Sequence, residues 1–146
     1  MKKIMIVDDN YLSAEGIEKN IDWETLNAEI IHVCYNGTSA IEAMKKEPAD
    51  LIISDIEMPD LDGISMSRQA LEINPMVKII LISAYDKFEY ARRALLLGAL
   101  DYIEKPLDYA YLIQKVKNAF ALMEKEQKNL QLLKQSRPLL TEKFFR

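Results

Sequence analysis

Five short apolar segments of strand length recur along this chain, and they constrain its fold more than any other feature of the sequence. They run from Lys3 to Val7, Ile30 to Cys34, Leu51 to Ser54, Lys78 to Ser83 and Leu100 to Glu104. Continuous runs rich in β-branched residues are typical of strands that are covered on both faces, as in a parallel sheet. Helical patterns follow each of them, so strand and helix alternate five times. The pattern predicts an α/β fold: a doubly wound, five-stranded parallel sheet with helices on both faces.

Local signals indicate where some of these helices begin and end. Thr38 is a candidate N-cap of the second helix and Asp86 of the fourth, since their side-chain oxygens can accept hydrogen bonds from free N–H groups. Gly98 is the candidate residue after the fourth helix, because glycine accepts a positive φ without a Cβ clash.

The helical pattern that begins at Leu107 continues unusually far. Only its first part can cover a sheet of this size, so we expect residues 1–124 to form the domain and residues 125–146 to form a projecting helical linker. Its sparse leucines suggest a short coiled-coil seam, although Glu126 falls on that seam. Arg137-Pro138 is predicted to interrupt the helix, and we expect the chain to lead toward a further, absent C-terminal domain.

Composition and charge restrict the classes of partner. At 146 residues the chain fits one compact domain. Its net charge of −4 and the lack of a dense Lys/Arg cluster argue against nucleic-acid binding by this segment. Cys34 is the single cysteine, so a buried thiol is expected rather than a disulfide. Asp8 and Asp9 interrupt the N-terminal apolar run too early for a signal peptide or a membrane span, and we expect a cytoplasmic protein.

Polar residues stand where four of the predicted strands end. They are the pair Asp8-Asp9, then Asp55, Ser83 and Lys105. Ligands of doubly wound sheets bind at the carboxyl ends of the strands, so these side chains are expected to converge in one site. Three carboxylates that meet there would repel one another unless a cation neutralised them, and Mg²⁺ prefers such hard oxygen ligands. Capping of the first helix by Asp8 and Asp9 is the alternative.

The same residues suggest phosphoryl transfer. A carboxylate beside a divalent cation, here Asp55, can attack a phosphoryl group and become an acyl phosphate. The Lys105 ammonium can contact one phosphate oxygen and the Ser83 hydroxyl another. Taken singly, a serine at a strand end is more often a turn residue, and a lysine there is more often solvated.

Four ordered motifs resemble the receiver domains of response regulators. They are Asp8-Asp9, DLIISDIEMPDLDG at 50–63, IILISAY at 79–85 and GALDYIEKPL at 98–107. The resemblance covers about residues 1–124. It implies a flavodoxin-like (βα)5 fold with strand order 2-1-3-4-5, and a signalling module rather than an enzyme.

The resemblance also implies a role for each matching residue. Asp55 is the phosphoacceptor, and the acidic residues Asp8 and Asp9 lie at the metal site. Mg²⁺ would be held by the side chains of Asp9 and Asp55 and by the backbone carbonyl of Glu57. Further implied roles are those of the switch hydroxyl Ser83, the switch aromatic Tyr102, the phosphate-contacting Lys105 and a cis bond before Pro106. Met58, Pro59 and Gly63 are interpreted as structural.

The partners follow from the same resemblance. A sensor histidine kinase would supply the phosphoryl group, and activation is expected to drive homodimerisation through helix 4, strand 5 and helix 5. Charges expected on that face are Asp86, Lys87, Glu89, Arg92, Arg93, Asp101, Glu104 and Lys115; they are either ion-pairing partners across a two-fold axis or a solvated surface.

Three further segments narrow the resemblance. Asp22-Trp23, SAYDKFEYARRAL at 83–95 and SRPLLTEKFFR at 136–146 are similar to regulators whose receiver precedes an AraC-type helix-turn-helix domain. DNA would then be bound only by that absent domain. Outside this comparison, Trp23 is interpreted as a partly buried loop anchor.

Three alternatives remain open at the level of sequence. An aspartate-nucleophile phosphohydrolase has an acid two residues after its nucleophile, and Glu57 has that spacing from Asp55. The nucleophile of such an enzyme follows the first strand, however, whereas Asp55 stands at the third predicted strand. A dinucleotide-binding domain would need a glycine-rich loop where Asp8-Asp9 stands. A receiver-like interaction module that is never phosphorylated is the third.

Overall fold

The structure is a computed structural model that describes residues 1–84 and 88–145, with residues 88, 91 and 136–145 described by their backbone alone. Five parallel strands form one sheet in the order β2-β1-β3-β4-β5, which confirms the predicted fold. The strands are β1 Lys2–Val7, β2 Ala28–Cys34, β3 Leu51–Asp55, β4 Lys78–Ser83 and β5 Asp101–Glu104. The α-helices are α1 Tyr11–Asn20, α2 Gly37–Lys46, α3 Gly63–Ile73, α4 Phe88–Leu97 and α5 Tyr109–Phe145.

Strand side chains alternate between two apolar layers. Met5 and Val7 of β1 pack in the layer that includes residues of α2 and α3, whereas Ile4 and Ile6 pack in the layer that includes residues of α1 and α5. All four are buried. Full burial of an aliphatic side chain of this size contributes about 1.5–3 kcal/mol, so this alternation determines which face of each strand meets which helices. Cys34 is buried as expected, and burial raises the pKa of its thiol.

Trp23 anchors the segment between α1 and β2 more deeply than predicted. It is only 6% exposed, and its indole Nε1 donates a hydrogen bond to the carbonyl oxygen of Ile17 at 3.2 Å. Its own carbonyl oxygen accepts from the backbone N–H of Ala28 at 3.0 Å. The expectation of a partly buried side chain was wrong because this ring fills space beneath α1 and has an internal partner for its N–H.

The N-cap of α2 is Asn36, so the prediction of Thr38 was wrong. The Asn36 side chain accepts a hydrogen bond from the backbone N–H of Ser39 at 2.7 Å. The helix begins at Gly37, one residue before the threonine. Asparagine and threonine both serve as N-caps, and only the backbone shows which residue lies before the first helical turn. The predicted N-cap of α4, Asp86, lies outside the described residues.

Gly98 ends α4 as the sequence predicts. Its φ is +95°, its N–H donates to the carbonyl of Leu95 at 3.1 Å, and the N–H of Ala99 donates to the carbonyl of Ala94 at 3.0 Å. These two hydrogen bonds form a Schellman motif, which satisfies carbonyl groups that the helix end would otherwise leave unpaired.

The helix α5 covers the sheet and then continues past it. Leu112, Val116 and Ala119 are buried, whereas Leu130 is 47% and Leu133 58% exposed. Between these two parts of the helix, the Glu126 carboxylate pairs with the Lys78 ammonium at the start of β4, 2.8 Å away. The expectation of an extended C-terminal helix is therefore confirmed, and Glu126 is an ion-pair partner of the domain. The coiled-coil seam remains a prediction.

The predicted interruption at Arg137-Pro138 was wrong, because α5 is continuous from Tyr109 to Phe145. A proline inside a helix removes one hydrogen bond and crowds the preceding turn, which bends many helices without ending them. Across residues 1–84 and 88–145, no helix has an apolar stretch long enough to cross a membrane.

Replacing Gly98 tests the helix end. We expect Gly98→Ala to lower the free energy of unfolding by about 1 kcal/mol, because an L side chain is strained at this φ. A Cβ there would meet nothing within 4 Å, so the cost is conformational rather than steric. Urea denaturation measures it, and Gly98→Asn should lose less because asparagine tolerates the left-handed region. Equal losses in the two variants would contradict this explanation.

Candidate functional site

The predicted polar residues meet at the carboxyl edge of the sheet. Asp8 directly follows β1, whereas Asp55 and Ser83 are the last residues of β3 and β4. Asp8 is 2% exposed and Asp55 7%, while Asp9 is open to solvent. The register of the sheet aligns the ends of β1 and β3, with Val7 opposite Ser54. Parallel strands in register thus deliver the acids to one place, as the fold rule requires.

The three acids form a compact cluster against one lysine. Oxygen atoms of Asp8, Asp9 and Asp55 all lie within 4.8 Å of one another. The Lys105 ammonium is 3.4 Å from Asp8 Oδ2 and 3.3 Å from Asp55 Oδ2. Three carboxylates and one ammonium leave two formal negative charges. The cluster has the hard oxygen donors and the net negative charge that suit a divalent cation such as Mg²⁺.

Electrostatic effects at the cluster oppose one another. Burial raises the pKa of Asp8, and the hydrogen bond from the Asn10 N–H and the charge of Lys105 offset only part of that effect. Burial alone would lower the pKa of Lys105, but the combined attraction of Asp55 and Asp8 raises it. Lys105 is therefore held as an ammonium, while the buried Asp8 bears part of the cost of the crowded negative charge.

Capping of α1 does not account for the acidic pair. Asn10 is the N-cap, and its side-chain oxygen accepts from the N–H groups of Leu12 at 3.0 Å and Ser13 at 3.2 Å. Asp8 instead accepts from the N–H of Asn10 at 2.9 Å, which holds its carboxylate beside the strand end. Asparagine at position 10 thus leaves both aspartates available to the cluster.

Gly63 lets the chain return close beneath the end of β3. A Cβ on this residue would lie 2.2 Å from the backbone oxygen of Asp55, a separation that atoms do not adopt. Its N–H donates to the carbonyl of Ile56 at 2.7 Å. Asp62 caps α3 directly before it by accepting from the N–H of Ser65 at 2.8 Å. Glycine is needed here for space, because its φ is not positive.

Glu57 has a side-chain contact that the sequence did not predict. Its carboxylate Oε1 accepts a hydrogen bond from the Ser83 hydroxyl at 3.3 Å, while its backbone N–H donates to Asp55 Oδ1 at 3.2 Å. The resemblance assigned the metal-binding role to the backbone carbonyl of this residue, and nothing in the sequence predicted the contact of its side chain with Ser83. The side chain was missed because a residue two positions after a strand has no predictable rotamer.

Tyr102 and Pro106 lie on the β5 side of the site. Tyr102 is partly buried against the layer that includes residues of α3 and α4. The peptide bond between Lys105 and Pro106 is cis, as the resemblance implies. The switching role of Tyr102 and the phosphate-contacting role of Lys105 remain predictions.

Charges on the α4-β5-α5 face find partners within the chain. Arg92 pairs with Glu89 at 3.2 Å, and Lys115 pairs with Asp101 at 3.1 Å. Ion pairing across a two-fold axis would therefore compete with these internal pairs. Two of the charges predicted for this face, Asp86 and Lys87, lie outside the described residues.

Asp60 was missed by sequence analysis. It lies in the loop between β3 and α3, yet its carboxylate accepts hydrogen bonds from the N–H groups of Gly37 at 3.3 Å and Thr38 at 3.1 Å. An exposed aspartate after a proline is ordinarily a solvated turn residue, and these partners lie more than twenty residues away along the chain. No local sequence signal distinguishes the two cases.

The fold and the acidic site together define the class of parallel α/β receiver-type domains. The profile of the response regulator receiver domain matches residues 4–117, so the chain belongs to that family.

Known proteins agree with this membership. The uncharacterized transcriptional regulatory protein YesN of Bacillus subtilis is 29% identical over 126 residues, which cover 86% of this chain and 34% of YesN. The chain thus spans about a third of that relative's length. The receiver domain of the response regulator AraT from Geobacillus stearothermophilus has a TM-score of 0.81 at 34% identity, covering 86% of this chain and 98% of that one. A two-component transcriptional regulator AraC from Clostridium phytofermentans has a TM-score of 0.77 at 30% identity, covering 88% and 99%.

Removing one buried charge should stabilise the Mg²⁺-free protein. Because the pKa of Asp8 is raised in the folded state, its ionisation destabilises that state as the pH rises above the unfolded value of 3.8. Asp8→Asn should therefore raise the melting temperature at pH 7 by a few degrees, for an effect of roughly 1 kcal/mol, and added Mg²⁺ should stabilise this variant less than the natural protein. Differential scanning calorimetry measures both.

The exposed substitution Glu18→Gln in α1 is the matched control, and it should change neither quantity. The advantage of Asp8→Asn should shrink as the pH falls toward 4, where the natural carboxyl also binds a proton. A variant less stable than the natural protein at pH 7 without Mg²⁺ would contradict the repulsion described for the cluster.

Proposed function

We propose that this receiver domain is a phosphorylation-activated switch that accepts a phosphoryl group on Asp55 from a sensor histidine kinase and relays the change to a transcription-regulating output domain. The observation that carries the proposal is the Asp55 carboxylate, which is 7% exposed, lies 3.3 Å from the Lys105 ammonium and shares a cluster with Asp8 and Asp9. A solvated structural aspartate would need none of these neighbours. Receiver domains are signalling modules rather than classical enzymes.

The transfer step exchanges one phosphorus bond for another. A carboxylate oxygen of Asp55 attacks the phosphorus atom in line, and the O–P bond forms as the P–N bond to the kinase's phosphohistidine breaks. The imidazole nitrogen leaves with the electron pair of that bond. Lys105, already 3.3 Å from Asp55, balances the charge before the reaction and contacts a phosphate oxygen afterwards.

Mg²⁺ would be held by the side chains of Asp9 and Asp55 and by the backbone carbonyl of Glu57, with Asp8 completing the acidic cluster. When bound, it supplies positive charge to the phosphate oxygens during transfer. Asp9 is the exposed member of the cluster, so its oxygen atoms are reachable from solvent while those of Asp8 and Asp55 are largely enclosed. This division of burial suits a site that must exchange a hydrated ion.

The switch begins with a change of partner at Ser83. In the unphosphorylated protein the hydroxyl donates to the Glu57 carboxylate. Phosphorylation replaces the single negative charge of the Asp55 carboxylate with a group that carries about two negative charges and three acceptor oxygens, and the hydroxyl moves toward it. Tyr102 then rotates inward, which favours one of two packings of the α4-β5-α5 face. Coupling of this kind is typically worth about 1–3 kcal/mol.

The output lies beyond the receiver. We assign residues 1–124 to the receiver and 125–146 to a helical linker toward an AraC-type DNA-binding domain that this sequence does not contain. The similarity to a regulator described as AraC and the short fraction of YesN that the chain covers support this assignment. DNA would be bound only through that further domain.

Intact-protein mass spectrometry after incubation with acetyl phosphate tests the phosphorylation. We expect a single phosphoryl adduct that requires Mg²⁺ and is abolished in Asp55→Asn, because the amide is not a nucleophile for phosphorus. Asp62→Asn, which changes a nearby capping aspartate, should retain the adduct. With no adduct on the natural protein, the family membership stands but the domain acts as an unphosphorylated interaction module.

Activation should convert the chain from monomer to dimer through the α4-β5-α5 face. The exposed side chains of Leu95 and Leu96 on α4 give that association apolar area to bury. We expect the molar mass from light scattering to double when the chain, with its long helix, is treated with BeF₃⁻ and Mg²⁺, a stable mimic of the acyl phosphate. Leu95→Ser should weaken the dimer, while Leu132→Ser on the helical extension serves as the control, since Leu95 is 71% and Leu132 63% exposed. An unchanged mass on activation would count against this output.

A further inference from the structure

The loop from Ile56 to Asp62, the acceptor loop, directly follows Asp55 and includes the backbone of Glu57. It is tied to the sheet end at its start, where the Glu57 N–H donates to Asp55 Oδ1 at 3.2 Å. It is tied again at its end, where the Gly63 N–H donates to the carbonyl of Ile56 at 2.7 Å. Between these two hydrogen bonds, Met58 is buried in the layer that includes residues of α2 and α3, and Leu61 packs against that layer. Pro59 and Asp60 are the exposed part of the loop.

Asp60 supplies a third attachment, to a different helix. Its two carboxylate oxygens accept from Gly37 N–H at 3.3 Å and Thr38 N–H at 3.1 Å, which are the first two helical residues of α2. Asn36 accepts from the third, Ser39. The free N–H groups of the first turn are thus shared between a local cap and a distant one. A hydrogen bond from the Thr38 side chain is the main cause that lowers the pKa of Asp60 to about 2, so the carboxylate stays charged at physiological pH.

The helix and the loop also pack backbone against backbone. A Cβ on Gly37 would lie 2.4 Å from the carbonyl oxygen of Leu61 and 2.7 Å from its Cβ. Glycine at the first position of α2 therefore allows the close approach that brings the N–H groups within reach of Asp60. Two adjacent loop residues thus contact the start of α2, Asp60 through hydrogen bonds and Leu61 through close packing. This distinguishes the contact from a chance surface hydrogen bond.

We propose that Asp60 is a positioning residue for phosphoryl transfer, which holds the acceptor loop against α2 so that the Glu57 backbone stays in place to contact Mg²⁺. The inference rests on the proposed function, since it assigns a purpose to the loop geometry only if a metal binds there. Asp60 is three residues from Glu57, and without its attachment the exposed part of the loop, Pro59 and Asp60, gains conformations that metal binding must then restrict.

Two substitutions at the same helix end separate positioning from stability. Asp60→Ala and Asn36→Ala each remove a cap of α2, but only Asp60 belongs to the acceptor loop. We expect both to lower the midpoint of urea unfolding. Asp60→Ala should also weaken Mg²⁺ binding roughly tenfold, as loss of outer supporting contacts does at metal sites, whereas Asn36→Ala should leave the Kd unchanged. Isothermal titration calorimetry of the full chain gives the Kd.

Phosphorylation kinetics give a second readout. In Asp60→Ala, the Mg²⁺ concentration for half-maximal adduct formation from acetyl phosphate should rise by the same factor, with the rate at saturating Mg²⁺ unchanged. Asp60→Asn retains one acceptor oxygen and should fall between the alanine variant and the natural protein, and it replaces the alanine variant if that variant does not fold.

The outcomes separate failure of the positioning role of Asp60 from failure of the proposed phosphorylation on Asp55. Equal Mg²⁺ affinity in Asp60→Ala, Asn36→Ala and the natural protein would overturn the positioning role while leaving phosphorylation on Asp55 intact. If the natural protein itself binds no Mg²⁺ and forms no adduct, the proposed function fails and the positioning role falls with it.

Discussion

The contact of the Lys105 ammonium with two buried carboxylates is the interaction on which the rest of the site depends. Asp8 and Asp55 are almost enclosed, and without a cation their mutual repulsion and desolvation would oppose folding of the sheet edge. Lys105 offsets part of that cost. The cluster keeps a net negative charge that a divalent cation can neutralise. The same unfavourable electrostatics that limit stability would favour the binding of a divalent cation.

The surrounding backbone is arranged to keep these groups close. Gly63 brings the start of α3 against the backbone of Asp55, and Gly37 brings the start of α2 against Leu61. Both glycines act by removing a Cβ from a crowded place rather than by adopting an unusual φ. The acceptor loop is thereby enclosed between two helix N-termini, and Asp60 adds a charged attachment to one of them. In the proposed function, the loop that follows the phosphoacceptor is therefore supported from the side of α2.

The helix α5 joins the core to the exposed helical extension. Its first half buries Leu112 and Val116 in the layer shared with α1, and the ion pair of Glu126 with Lys78 marks the last strong attachment to the sheet. The stripe that packs inward upstream continues as exposed leucines downstream. Because one rigid helix carries both parts, a small shift of its packing on the sheet would be transmitted along the extension, as the proposed linker role requires.

The sequence by itself determined the alternation of strands and helices, the strand ends that carry acids and a lysine, and the glycine that ends α4. These features follow from hydrophobic periodicity and from local backbone preferences, both of which depend on residues close together in the sequence. Tertiary structure alone decided that Asn36 rather than Thr38 caps α2, that Glu57 reaches Ser83, and that Asp60 joins the acceptor loop to α2. The contacts of Glu57 and Asp60 depend on which side chain is nearest once distant segments pack, and no local pattern encodes a partner twenty residues or more away. The cap of α2 depends on where its first turn begins, which only the folded backbone shows.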